Sequence, residues 1–519
     1  MPLNHIFKNS VVKGTLILTI AGLISKLMGF YYKIFLSGVI GAEGIGLYQL
    51  VFPITGIAMA VCSMGIENAI SRFCAKEKDK AGILTAGLIM SLSLAFVTSY
   101  IIYHNAAFIA KRLLLNENAG SLVLVISVSI PFACLHQCIC GYYYGTGDAK
   151  VPAVSQLFEQ FARVGSVLAI TFFLNKNSLP VTPVIAVAGI VAGEITSGLF
   201  CLLCATVGQH FRPVFRNIKP HIRDITGMAL PISCNRILLT LLQSGEAILI
   251  PAQLTVSGMS SFDALSAYGV LTGMAMSFIA FPATITQSAA VMLLPSVSKA
   301  QSSDNSGMIS RTISTSIEMA LAMGIFCIGG FITYGAPFGA LIFHNNLVAD
   351  FMRVLAWLCP FLYINTTLTG ILNGLGKTGY TFVCGIISTL MRIAFIIFLI
   401  PSYKITGYMW GLLVSQCFLT GAYVIFLLRL YHFSFSPVRA IVVPVLSLAV
   451  ALCGSVIACI LALSMAVPYI FCLIAGACAA ALIYCGLLFI FIAVSLDTLY
   501  SKKDNKGDVS NILKGWLYQ

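Results

Sequence analysis

Apolar blocks of roughly 20 residues, the length that carries a helix across about 30 Å of hydrocarbon, recur along this chain between short polar breaks. Hydrocarbon offers backbone N–H and C=O groups no partners, so a chain built of such blocks must cross as helices or as a closed barrel. The blocks are continuous, without the period-2 alternation of barrel strands, and this selects helices. Charge agrees with that reading. Only 9% of the 519 residues are charged, against about 25% in soluble domains, too few to coat a water-soluble particle of this size.

The polar breaks divide the chain into fourteen candidate spans. They fall at 14–37, 47–70, 82–103, 121–143, 152–174, 181–206 and 225–253, then at 264–294, 308–335, 350–373, 379–400, 405–428, 438–464 and 468–495. Lys8 and Lys13 precede the first span with no small-residue cleavage site, so that span is expected to stay as an anchor. The expected fold is therefore an all-α integral membrane protein.

Short cytoplasmic loops carry an excess of Lys and Arg. With the N-terminus inside, the inner segments hold Lys8, Lys13, Arg72, Lys76, Lys78, Lys80, Lys150, Arg212, Arg216, Lys219 and Arg223. Lys299, Arg311, Lys377, Arg429, Arg439, Lys502, Lys503, Lys506 and Lys514 complete them. The outer loops hold only Lys111, Arg112, Lys176 and Lys404. A miscounted span would have scrambled this asymmetry. Both termini are expected in the cytoplasm of a bacterial cell, and the net charge of +13 is mostly a topological signal. The basic residues form no dense patch of the kind that binds nucleic acid.

The chain also resembles itself at an offset of 229 residues. Phe52-Pro53-x-Thr55 falls on Phe281-Pro282-x-Thr284, and Pro131-Phe132 on Pro360-Phe361. Gly141, Gly145 and Gly147 fall on Gly370, Gly374 and Gly376, and Arg163 falls on Arg392. The shift is six spans, an even number, so the halves run parallel and are expected to be related by a pseudo-two-fold axis along the membrane normal. The expected divisions are an N-terminal lobe at 1–223, a C-terminal lobe at 224–430, two further helices at 431–496, and a cytoplasmic tail at 497–519.

Ionisable residues within spans are costly unless paired or facing a wet cavity, and mark function by default. Lys26 and Lys33 lie one heptad apart on one face of span 1, either lining a cavity or snorkelling to the interface. Glu159 and Arg163 have the i,i+4 order of an intrahelical ion pair, a purely structural pair being the alternative. The residue matching Glu159 in the repeat is Ser388, which leaves Arg392 without an acid on its own helix. Arg236 and Glu246, ten residues apart on span 7, share a face without touching, so each needs another partner or water. Lys26, Lys33, Arg163, Arg236 and Arg392 are the candidate anion-binding residues, with Glu159 and Glu246 as supporting acids. Glu194 and Glu318 receive no role.

Two motifs mislead. Residues 370–378, GILNGLGKT, mimic a phosphate-binding loop, but Ile371 stands where its first glycine belongs and no strand precedes it. Cys201 and Cys204 have CxxC spacing, but within an apolar run and with no second pair, so most of the 17 cysteines read as small hydrophobes. No metal-ligand cluster, cofactor motif or nucleophile–base arrangement is evident, and no enzymatic activity is expected.

Residues 25–33, SKLMGFYYK, and 41–48, GAEGIGLY, resemble the opening span and turn of bacterial polysaccharide exporters. Residues 245–251, GEAILIP, and 268–275, YGVLTGMA, are similar to the stage V sporulation protein B group, relatives of the lipid II flippases within the multidrug/oligosaccharidyl-lipid/polysaccharide exporter superfamily. The resemblance implies fourteen helices in a two-lobed, V-shaped fold with a cationic cavity, and alternating access driven by ions or membrane potential. It also implies an undecaprenyl-linked saccharide as cargo, a place in cortex or envelope assembly, and cell-wall synthesis enzymes as candidate partners. Lys26 matches a basic position of that family's first span. A cation-coupled multidrug antiporter of the same superfamily is the alternative, though it would favour cavity acids and twelve spans. A non-transporting envelope scaffold is another.

The loop asymmetry is directly testable. A fluorescent protein fused after residue 150 should fluoresce and alkaline phosphatase there should be silent, with the reverse at residue 176. The opposite pattern would invert the topology.

Overall fold

The computed structural model describes residues 10–504 apart from 78, 209–211, 216–217, 435 and 466–467. Lys8, Lys78, Arg216, Lys506 and Lys514 of the loop tally, and residues 505–519 of the expected tail, lie outside the described residues, as do the side chains of Lys13, Lys502 and Lys503.

Every regular element among the described residues is helical. Apart from single turns, the α-helices are α1 Ser10–Cys62, α2 Met64–Lys76, α3 Lys80–His104, α4 Gly120–Ser127, α5 Ser129–Thr146, α6 Lys150–Lys176, α7 Val184–Leu203 and α8 Ile218–Val256. They continue as α9 Ser261–Gly269, α10 Met276–Ser302, α11 Ser306–Phe343, α12 Leu347–Leu355, α13 Cys359–Gly374, α14 Thr378–Leu430, α15 Val443–Ser464 and α16 Tyr469–Asp504. The last eight residues of α16 fall within the expected tail.

Eleven helical stretches among the described residues are long and apolar enough to cross a membrane, twelve if the pair Glu117–Ser127 and Ser129–Thr146, bent by 45°, is one span. Fourteen were expected, and two of the observed stretches are far longer than one crossing needs. Helices α1 and α14 each run 53 residues, about 80 Å at 1.5 Å per residue, more than twice a hydrocarbon core. Each is broken once inside, at Gly41 (φ 69°) and at Lys404 (φ 52°). Glycine takes the left-handed conformation freely, whereas Lys404 adopts it against the clash of its own Cβ.

The bend between α4 and α5 precedes Pro131, whose ring removes one intrahelical hydrogen bond and crowds the carbonyl four residues back. At the matching place in the repeat, a 3-10 turn at Ala356–Leu358 precedes Pro360. The glycines repeat in structure as well. A Cβ on Gly141 would stand 2.7 Å from the Glu67 carbonyl oxygen, and one on Gly145 would press on that of Ser71. On α13, a Cβ on Gly370 or Gly374 would stand 2.6 Å from the carbonyl oxygen of Ala290 or Leu294 on α10. Gly147 and Gly376 then end the two helices with positive φ, 80° and 71°. Small residues let helix backbones approach where lipid supplies no hydrophobic drive for helix association.

Contacts divide the chain into two compact units. The first gathers residues 9–274 with 389–408; the second, residues 275–388 with those from 409 onward. In the first, the Ser244 hydroxyl of α8 donates to the Pro53 carbonyl of α1. Its core includes Ile66, Ile70, Cys138 and Ile225, from α2, α5 and α8. In the second, Tyr363 of α13 donates to the Ile279 carbonyl of α10, and Tyr484 of α16 to the Ala322 carbonyl of α11.

Asp79 caps α3, its carboxylate accepting from the Gly82 N–H at 2.9 Å and lying 3.1 Å from His221 Nε2. The Gly82 N–H, and then His221, hold its pKa below the usual value. A depressed carboxylate pKa stabilises the fold above the unfolded value of about 3.9 and loses that contribution as pH falls through the folded value. Asp79→Asn, which keeps a capping oxygen, should therefore lose less thermal stability than wild type between pH 6 and pH 3, measured in detergent. Equal losses would mean the cap carries no pH linkage.

The glycine contacts give a second expectation. Gly145→Ala and Gly374→Ala should each cost about 1–3 kcal/mol through overpacking, read as a lower thermal midpoint. Gly165→Ala, with nothing within 4 Å of its Cβ, should not lower it.

Candidate functional site

Lys26, Lys33, Arg163, Arg236 and Arg392, with Glu159 and Glu246, all fall in the first unit. Residues 389–408 of α14 belong to that unit, and Arg392 with them. On α1, Lys26 is exposed and Lys33 half-buried. Between them Tyr32 is buried and donates to the Ala186 carbonyl of α7 at 3.1 Å. Gly189 of α7 makes room beneath: a Cβ there would lie 3.1 Å from both the Tyr32 hydroxyl and the Arg163 carbonyl oxygen. That glycine therefore draws α1, α6 and α7 together beside Arg163.

Arg163 and Glu159 form the expected i,i+4 pair, Nη2 donating to Oε1, with side chains 17% and 15% exposed. The pair leaves Arg163 Nε buried without a hydrogen-bond partner. A buried unmet donor costs about 1–3 kcal/mol, and one on a guanidinium is a ready contact for an incoming oxyanion.

Arg392 is placed otherwise than its sequence surroundings imply. Its own helix supplies no acid, but Glu246 of α8 does, in a two-pronged contact. Nε donates to Oε1 at 2.7 Å and Nη2 to Oε2 at 2.9 Å. Tyr408 donates to the same Oε1 at 2.8 Å, and Thr389 Oγ1 accepts from Nη2 at 3.2 Å. Glu246 thus has the partner it needed. Arg236, on the same helix, is exposed and not part of this network.

A further basic feature came only with the fold. Between α2 and α8 lies a cavity of about 580 Å³ lined by Arg72, Phe73, Lys76, Arg223, Asp224, Gly227 and Met228. In sequence its three cations count only as loop charge; helix packing sets them, with one acid, around a single recess. Arg353, by contrast, pairs with Asp350 at the surface.

Of the unassigned acids, Glu318 accepts from the Ser436 N–H at 3.3 Å. Glu194 of α7 lies 3.9 Å from His136 Nδ1. Beside that histidine the fold gathers three side chains that no sequence spacing joins. His136, Cys140 and Cys201 bring one ligand atom each within 4.8 Å of one another. The CxxC spacing is not what matters here: Cys140 joins Cys201, and Cys204 stands apart.

Comparison with known proteins places this architecture. The chain is 25% identical over 416 residues to the stage V sporulation protein B of Bacillus subtilis (strain 168), covering 77% of this chain and 80% of that one. It is 21% identical over 448 residues to the lipid II flippase MurJ of the same organism, covering 77% and 79%. A solved structure of a lipid II flippase MurJ in an inward closed conformation shares the fold, with a TM-score of 0.70 at 14% identity, over 93% of this chain and all of that one. Residues 11–301, more than half of the chain, match the polysaccharide biosynthesis protein family, and the chain belongs to that family.

Proposed function

We propose that this multi-pass membrane protein is a flippase that carries an undecaprenyl-pyrophosphate-linked saccharide across a bacterial cytoplasmic membrane by alternating access. The observation that carries the reading is the basic cavity of Arg72, Lys76 and Arg223 in the unit that also holds Lys26, Lys33, Arg163, Arg236 and Arg392. One unit thus carries cations both at loop level and within the spans, as suits a pyrophosphate that must leave water and cross. Arginine suits this work because its planar fork grips two phosphate oxygens. Family membership and the names of the relatives support a lipid-linked saccharide as cargo. A peptidoglycan precursor or polysaccharide unit, used in spore cortex or envelope assembly alongside cell-wall synthesis enzymes, fits them.

On this reading α1 and α14 fold at Gly41 and Lys404 into two crossings each. Two more than the twelve candidate spans makes fourteen, with both termini cytoplasmic. The halves 1–223 and 224–430 act as parallel lobes, and helices 431–496 are an addition. Arg392 is held by Glu246 in the present state, so the cargo phosphate must compete with that carboxylate. Such an exchange of anions gives the transporter a way to couple cargo to conformation.

The decisive measurement is flipping of a fluorescent polyprenyl-pyrophosphate saccharide in proteoliposomes. Each charge-assisted contact is worth about 1.5–3 kcal/mol, so Lys26→Ala, Arg163→Ala and Arg392→Ala should each slow flipping about tenfold or more. Removing one partner of a buried pair is itself destabilising. The double variant Glu246→Leu/Arg392→Met should therefore fold better than Arg392→Ala and still fail to flip. Unchanged rates in all three single variants would overturn the cationic pathway, and export of cationic drugs without saccharide flipping would favour an antiporter.

A further inference from the structure

Three helices of the first unit converge on a polar knot that the transport reading does not use. His136 and Cys140, four residues apart, project from one face of α5; Cys201 reaches them from α7 and Ser155 from α6. Cys201 and Cys140 are buried, 0% and 6% exposed. One nitrogen of His136 and the two sulfurs lie within 4.8 Å of one another. Ser155 Oγ stands 2.9 Å from His136 Nε2 and 3.9 Å from Cys140 Sγ. On the far side of the ring, Nδ1 faces Ser197 Oγ at 3.3 Å and Glu194 Oε2 at 3.9 Å.

We propose that His136, Cys140 and Cys201 form a binding site for a thiophilic metal ion, zinc(II) being the ion they suit best, which pins α5 to α7 inside the first unit. The donor set is the one such ions select, imidazole with thiolate sulfur. Ligand atoms around a tetrahedral zinc stand about 3.5–3.8 Å apart, given Zn–S and Zn–N bonds of about 2.3 and 2.0 Å. From a spread of up to 4.8 Å the ligand atoms need to close by no more than about 1.3 Å, within reach of small side-chain rotations. Nε2 is on the side of Ser155 and Cys140, and Ser155 marks a fourth position.

The surroundings favour an ion as well. A metal-bound histidine usually offers its other ring nitrogen to a carboxylate or carbonyl that fixes its tautomer and orientation. Ser197 and Glu194 occupy that position. The Ser155 and Ser197 hydroxyls also have backbone acceptors, the Pro152 and Glu194 carbonyls at 2.9 and 3.2 Å, so the imidazole is not needed to satisfy them. Charge balances: two thiols each release a proton on binding, and the two thiolates neutralise the dication. The result is a neutral complex with neutral His136, the form that survives burial in an apolar bundle. The ligands stand on helices, not on loops, so the site is held in place before the ion arrives.

Full-length protein purified under reducing conditions would be incubated with zinc(II), desalted, and measured by inductively coupled plasma mass spectrometry. Wild type should retain about one zinc per chain, as a three-ligand site requires. Cys140→Ser/Cys201→Ser should fall at least tenfold, and Cys204→Ser should match wild type. Cobalt(II) in place of zinc should give wild type a thiolate-to-metal charge-transfer absorption that His136→Ala weakens, a readout on intact protein that does not depend on the serine variant folding. The proposal is overturned by wild type that binds well below one zinc and shows no cobalt–thiolate band. It is equally overturned by full retention in the double serine variant, or by a Cys140–Cys201 disulfide in protein taken directly from cells.

Discussion

A peptide group in hydrocarbon has no water to turn to, and this single fact organises the molecule. It forces every crossing into a helix, and it confines exceptions to places where the backbone is compensated. The left-handed residues Gly41 and Lys404 interrupt helices too long to be single crossings. The bend before Pro131 is repeated by the 3-10 turn before Pro360. Because lipid tails are as apolar as leucine, helices adhere through close packing. The glycines of α5 and α13 therefore meet neighbouring carbonyl groups at distances no Cβ would permit.

The same scarcity of solvent governs the charges. Glu246 of α8 and Arg392 and Tyr408 of α14 form one network within a unit. Glu159 and Arg163 satisfy each other along one helix and leave one guanidinium N–H over. A membrane protein that kept such groups for stability alone would gain little, since apolar packing can replace a buried pair without loss. On the proposed function the pairs open to admit an anion, and the cation-lined recess between α2 and α8 is where it would first be met. The His136–Cys140–Cys201 cluster is a separate case: its ligand atoms come together from α5 and α7, and on the metal-site proposal an ion there would fasten those two helices to each other.

Much was legible in the sequence because membrane physics acts on local composition. Span lengths, the sign of loop charge, the glycine and proline spacing of the repeat, and the Glu159–Arg163 pair are all properties of residues near one another in the chain. The polar breaks inside α1 and α14 were visible in the sequence although the helices run on across them, since composition marks a break even where the hydrogen-bond ladder continues on both sides of it. The partner of Arg392 was not legible, because Glu246 lies 146 residues away and no local spacing joins them. Neither was the basic recess, whose Arg72 and Arg223 come from different helices and read individually as topology signals.

What the sequence determined by itself, then, was the kind of molecule: a helical membrane protein with an internal repeat and cations where lipid would not tolerate them unaided. Tertiary structure decided which of those cations are already satisfied, which helices share a unit, and that a histidine and two cysteines meet. The reason is physical. Hydrophobicity and helix formation are set within about 20 residues of chain, whereas charge compensation and metal ligation depend on through-space distances of a few ångströms, which only the packed fold can fix.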